Sequence, residues 1–298
     1  MHNYGLRTFA FFILLTMRSV VHLVAAHQKP LGPGQFVYSP LPNERMDQFS
    51  PFLMLDHFGP QEVSKTKPFQ VPPHPHKGFE PVTLLFRGEV LHRDSLGNTG
   101  HLSAGDVQWM TAGSGIVHSE GIPPSFLDQG GEVELIQLWV NLSAKHKVHP
   151  PRYQDLRSGQ FPLIHVGDAH LRLIAGSYEG ETAPTALLTP VLVMHGRLDR
   201  GGQARIQIPQ GYNGMVYVLS GKVVSGTKTA TDRTLICYAQ QGAYIELEAR
   251  EHAAFVVLAG EPINEPVASY GPFVMNTRDE LIQAVEEYQS GKMGLIDA

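Results

Sequence analysis

Apolar residues along this chain fall in short runs that glycine and proline interrupt at brief intervals. Val82-Thr83-Leu84-Leu85-Phe86 is one run, and Gly88, Gly97, Gly100 and Gly105 punctuate the stretch beyond it. Ala204-Arg205-Ile206-Gln207-Ile208 alternates apolar and polar, as a half-buried strand does. Leu135 to Leu142, Leu163 to Val166, Leu171 to Ile174, Leu187 to Met194, Met215 to Leu219, Thr234 to Tyr238, Tyr244 to Leu247 and Ala254 to Leu258 read as further strands. Only the tail changes period. Thr277-Arg278-Asp279-Glu280 has the capping-box pattern, Leu281, Val285 and Tyr288 recur at helical spacing, and Gly291 is a stop. The pattern predicts an all-β chain of two jelly-roll-like barrels with a short C-terminal α-helix.

The expected boundaries are a first barrel over residues 18–142, a connection over 143–161, a second barrel over 162–275 and a helical tail over 276–298. The connection is charged and proline-containing, and His146 and His149 within it sit three apart, so they read as solvated. Gln35 to Tyr38 is expected as a strand and Pro60 to Pro73 as a loop at the barrel mouth. Residues 1–17 are an extension or a signal-like segment. Phe9 to Met17 is apolar, Arg7 precedes it, and Val24-Ala25-Ala26 has the form of a cleavage site, although Arg18 intervenes. The run is too short to span a membrane.

Composition narrows the classes. With 298 residues, 42% hydrophobic and 17% charged, the chain has room for two packed domains and is not of the disordered type. A net charge of −5 carries no basic footprint for direct nucleic-acid binding. One cysteine, Cys237, rules out an internal disulfide framework; it lies in an apolar run and reads as a buried thiol.

Candidate chemistry concentrates between Pro72 and Glu120. Residues two apart on a strand share a face, so His74 and His76 can aim both imidazoles into one barrel, and His118 and Glu120 repeat the spacing on a later strand. Three neutral nitrogens and one carboxylate suit a divalent ion with open positions, iron first, with manganese, nickel, copper or zinc as alternatives. Spacing alone leaves the carboxylate open between Glu80 and Glu120. His57, His92 and His101 belong to no such pair and are assigned surface or supporting roles. Trp109, Met110 and Trp139 are assigned to the core. The second barrel has Pro209-Gln210-Gly211-Tyr212 where the first has His-Pro-His, and its His195 and His252 are not expected to be ligands.

The strings His74-Pro75-His76-Lys77-Gly78-Phe79-Glu80 and Gly105 to Glu120 resemble the pirin family, as do Pro51 to Phe58, Leu138 to Leu142 and Gly271 to Thr277. The resemblance runs from about Arg18 onward and takes in Arg18 to Val24, similar to a first strand. It implies two cupin barrels, one iron in the N-terminal one, and His74, His76, His118 and Glu120 as its ligands, which favours Glu120 over Glu80. It implies a metal-free second barrel and a C-terminal segment that returns to the N-terminal half. It implies quercetin 2,3-dioxygenase-like cleavage of flavonols with O2, in which Glu120 could also take the substrate proton. The alternative it implies is an iron-dependent redox sensor acting through protein partners such as transcription regulators. It favours a cytoplasmic location, since cleavage after Ala26 would remove the first strand; a periplasmic or secreted protein is the alternative.

Overall fold

The computed structural model describes residues 16–32 and 34–296. The signal-like reading falls on residues mostly outside that range. The chain divides into two units: the described residues up to Ala26 with Phe161–Pro262, and His27–Gln160 with Ile263 onward. In chain order, β1 is Val20–Ala25, β2 His27–Gly32, β3 Gln35–Leu41, β4 Phe52–Val63, β5 Gln70–His76, β6 Phe79–Arg87, β7 Glu89–Asp94, β8 Thr99–Ser103, β9 Val107–Thr111 and β10 Ile116–Gly121. Helix α1 (Pro124–Gln129), which the pattern does not foretell, precedes β11 (Gly131–Asn141) and β12 (Arg152–Leu156).

The His27-containing unit is built from two antiparallel sheets, β12-β9-β6-β11-β4-β3-β2 and β5-β10-β7-β8. Their inward-facing apolar side chains, among them Phe58, Phe69, Leu85, Leu102 and Leu135, form its core. On β11 the alternation is plain: Ile136, Leu138 and Val140 are buried on one face, while Leu135, Gln137 and Trp139 turn to a cavity on the other. Both faces are covered, so the strand reads as a continuous apolar run.

Three expectations differ from what forms. Pro60 to Pro73 is mostly strand: β4 continues to Val63, β5 begins at Gln70 in the other sheet, and Ser64 and Lys67 close the turn between them through two backbone hydrogen bonds. Gly59, at φ +88, allows a bulge in β4 opposite Val133 and Leu135, and Gln61 donates to the Phe36 carbonyl at 2.7 Å, so polar residues are accommodated within the strand. The expected connection 143–161 contains β12, which pairs with β9 as an edge strand. The strand expected to open the first barrel, β1, pairs instead with Thr234–Tyr238 in the other unit. Sequence order suggests neighbours, but the free edge available to β1 is long-range.

That other unit repeats the two-sheet plan, with sheets of seven and four strands around a core that includes Ile206, Val216, Ile236 and Phe255. Arg18, fully buried, donates to the carbonyls of Gly242, Tyr212 and Pro209 at 3.2, 2.7 and 3.1 Å, pinning the start of β1 there. Helix α2, Arg278–Gln289, begins at the capping box that Thr277 and Glu280 form. It returns to the His27-containing unit, where Leu281 and Ala284 pack with Val117, Phe273 and Met275.

Candidate functional site

Strand pairing brings the predicted residues together. His118 on β10 stands directly opposite His74 on β5, and Glu120 stands opposite His92 on β7. The turn after β5 fixes His76. Gly78 takes φ +88, and a Cβ there would run into the Val274 carbonyl, so only glycine makes the turn from β5 into β6. Lys147 holds the same turn, donating to the Gly78 and Val274 carbonyls at 2.7 and 3.0 Å and to Asn141 Oδ1 at 2.7 Å. Lys77 pairs with Glu287 of α2.

Three Nε2 atoms converge. His74 Nε2 lies 3.1 Å from His76 Nε2 and 2.8 Å from His118 Nε2. His74 Nδ1 is 2.9 Å from the Pro72 carbonyl, which only accepts, so Nδ1 carries the proton and Nε2 presents a lone pair. Burial holds the His74 imidazole below its ordinary pKa; burial and the neighbouring rings hold His76 and His118 well below theirs. Neutral imidazoles aimed at one point repel unless a cation or a proton lies between them. Nitrogens about 2.1 Å from one ion and at right angles lie about 3.0 Å apart, close to the two spacings here. His74, His76 and His118 therefore fit as metal ligands.

Glu120 faces the same cavity and groups with His118 and His92. Burial raises its carboxyl to about 7, against an opposing hydrogen bond from Thr83. Glu80, the other candidate carboxylate, lies elsewhere: it is buried, accepts from Thr111 at 2.6 Å and belongs to no cluster of ligand-type groups among the described residues. The cavity holds about 260 Å3, near the lower end of ordinary small-molecule sites. Its walls are largely apolar, with Met54, Phe58, Phe69 and Trp139 prominent.

The sequence profile described as Pirin matches residues 35–140, and that of the Pirin C-terminal cupin domain matches 193–294. The chain belongs to the pirin family. A pirin-like protein of Solanum lycopersicum is 37% identical, covering 93% of each chain. Human pirin is 34% identical over 93% of this chain and 94% of its own. A crystal structure of quercetin 2,3-dioxygenase from Acinetobacter baumannii superposes with a TM-score of 0.89 at 37% identity, covering 95% of this chain and 100% of that one.

Several residues at this pirin site escape the two-residue pattern. His92 is buried, with Nε2 3.2 Å from His118 Nδ1 and 2.7 Å from the Tyr153 hydroxyl. An N–H at His118 Nδ1 donating to His92 would leave His118 Nε2 as the free lone pair. Burial lowers the His92 pKa to about 4 and pushes Tyr153 far up, so both stay neutral. Trp139, assigned to the core, lines the cavity with its ring 5.3 Å from that of His76. His57 is buried away from the cavity, 3.3 Å from Glu134, and His101 is exposed beside Glu89. Both groups of three or more ligand-type side chains found among the described residues lie in this barrel.

Proposed function

We propose that the chain is a metal-dependent dioxygenase of the pirin type that cleaves the central ring of flavonols such as quercetin. The observation that carries this reading is the convergence of three neutral imidazole nitrogens beside a carboxyl of raised pKa, at the wall of an apolar cavity. His74, His76 and His118 hold the ion through Nε2, and Glu120 is the fourth ligand, with ferrous iron the ion that best suits this set. A bound ion would supply Lewis acidity toward the ketone and hydroxyl oxygens of a flavonol and electron exchange with O2. The apolar walls exclude water and take the flat face of the substrate against Trp139 and Phe58. Glu120, a carboxylate beside the ion, accepts the proton of the chelating hydroxyl. Similarity to the Acinetobacter quercetin 2,3-dioxygenase supports the reaction class.

Oxygen uptake with quercetin, in anaerobically purified protein reconstituted with ferrous iron and separately with manganese, nickel, copper or zinc, tests the reading. Uptake that depends on one of these ions and is lost in His76→Ala is the expected result. Glu120→Gln with metal retained isolates the base: undiminished turnover would remove that role.

A further inference from the structure

His74 and His118 meet nitrogen to nitrogen, and a backbone carbonyl decides which of them holds the proton. The Pro72 carbonyl accepts from His74 Nδ1, so His74 Nε2 offers only a lone pair. His118 Nε2 lies 2.8 Å from it, at hydrogen-bond distance. When no cation lies between them, the proton in that contact belongs to His118 Nε2. A neutral imidazole carries one N–H, so His118 Nδ1 is then bare. His92 Nε2 stands 3.2 Å from that bare nitrogen and has to donate to it. The proton on His74 thus dictates those on His118 and His92.

To ligate through Nε2, His118 must carry its proton on Nδ1 instead. His92 Nε2 then faces an N–H and has to accept, which puts the His92 proton on Nδ1. Each ring releases the proton of one nitrogen to water and takes one from water at the other, so neither changes charge. The surroundings of His92 admit both arrangements. The Tyr153 hydroxyl, 2.7 Å from His92 Nε2, can accept in the first and donate in the second. His92 Nδ1 is buried with no hydrogen-bond partner among the described residues, and Glu120 Oε1 is 4.0 Å away, so an N–H placed there faces a carboxyl oxygen. His74 has no such freedom, because its carbonyl partner only accepts.

We infer that His92 is a positioning residue that sets the tautomer of His118, and that the two rings change tautomer together when His118 becomes a ligand. Tyr153 is the two-way partner that lets His92 serve in both arrangements. The inference rests on the metal-binding part of the proposed function and extends it to two residues outside the ligand set. A side chain at position 92 that neither donates nor accepts would leave an N–H of the ligating His118 buried and unpaired, and would weaken metal binding.

The test is 15N NMR of histidine-labelled protein, metal-free and loaded with zinc, since nitrogen shifts distinguish the two tautomers and zinc is diamagnetic. His118 and His92 are expected to carry their protons on Nε2 without zinc and on Nδ1 with it, while His74 keeps Nδ1–H throughout. A His118 already protonated at Nδ1 without zinc, or a His92 that does not change on loading, overturns the inference while leaving metal binding standing. Zinc affinity of variants, with circular dichroism as the control for folding, gives the second readout. His92→Leu is expected to bind zinc at least ten-fold more weakly. His92→Gln, whose amide can turn to donate or accept, is expected to stay within about three-fold of the parent. Equal losses in the two variants mark a packing role and overturn the inference, as does full affinity in His92→Leu. A parent that binds no zinc and no other divalent ion removes the metal reading and this inference with it.

Discussion

At the scale of single residues, Glu120 links the site to folding through its proton. The folded chain holds that proton up to about pH 7, whereas an unfolded chain releases it near 4.5. Between these values the folded state binds more protons, so this group's contribution to stability falls as pH rises. Above pH 7 it costs the metal-free fold about 3 kcal/mol. Metal-stripped Glu120→Gln should therefore be more stable than the parent at pH 8, by urea denaturation, with the gap closing by pH 4. A gap that does not change with pH would mean the carboxyl is not desolvated. The convergence of His74, His76 and His118 is legible in the sequence because a strand puts residues two apart on one face, whereas spacing leaves the carboxylate open between Glu80 and Glu120. His92 and Tyr153 are not legible there. Their places depend on which strands pair, β7 with β10 and β12 with β9, and no local spacing announces that.

At the scale of elements, turns and strand ends set the site's tolerance. Gly78→Ala would drive a methyl into the Val274 carbonyl and force a side chain into φ +88. The turn must then shift, and His76 with it, so the variant should fold with metal affinity reduced by ten-fold or more, measured by competition with a chelator. Retained affinity would show that the turn does not fix His76. In the other unit, Arg18→Ala deletes three hydrogen bonds made by a buried guanidinium and should cost about 3–5 kcal/mol. Removal of the chain through Ala26 takes β1 as well and should cost more. The strand at Val20–Ala25 is anticipated through the family resemblance of Arg18 to Val24, but its partner is not, since pairing with Thr234–Tyr238 joins residues more than two hundred apart. The passage from β4 to β5 departs from its sequence pattern for a different reason: prolines and polar side chains imitate a loop where a bulge and backbone acceptors accommodate them.

At the scale of the whole molecule, the rhythm of short apolar runs and glycine turns is enough to predict two barrels, and the capping box is enough to place the final helix. The anchoring of the segment before that helix is visible only in the structure. Lys147, buried in a segment whose composition is that of a solvated connection, gathers Gly78, Asn141 and Val274 around one ammonium group. Burial lowers its pKa to about 8. Lys147→Met should cost about 2–4 kcal/mol and expose the segment around Val274 to protease. Unchanged proteolysis would place the anchoring elsewhere. No helix among the described residues is long and apolar enough to cross a membrane.

The claim on which the rest depends is that His74, His76 and His118, with Glu120, hold one divalent ion. Metal content per chain, measured by mass spectrometry on protein exchanged into ferrous iron under anaerobic conditions and desalted, tests it most directly. One ion per chain is expected in the parent and none in His76→Ala of unchanged fold. A parent without metal, or a His76→Ala variant that keeps a full equivalent, would contradict it.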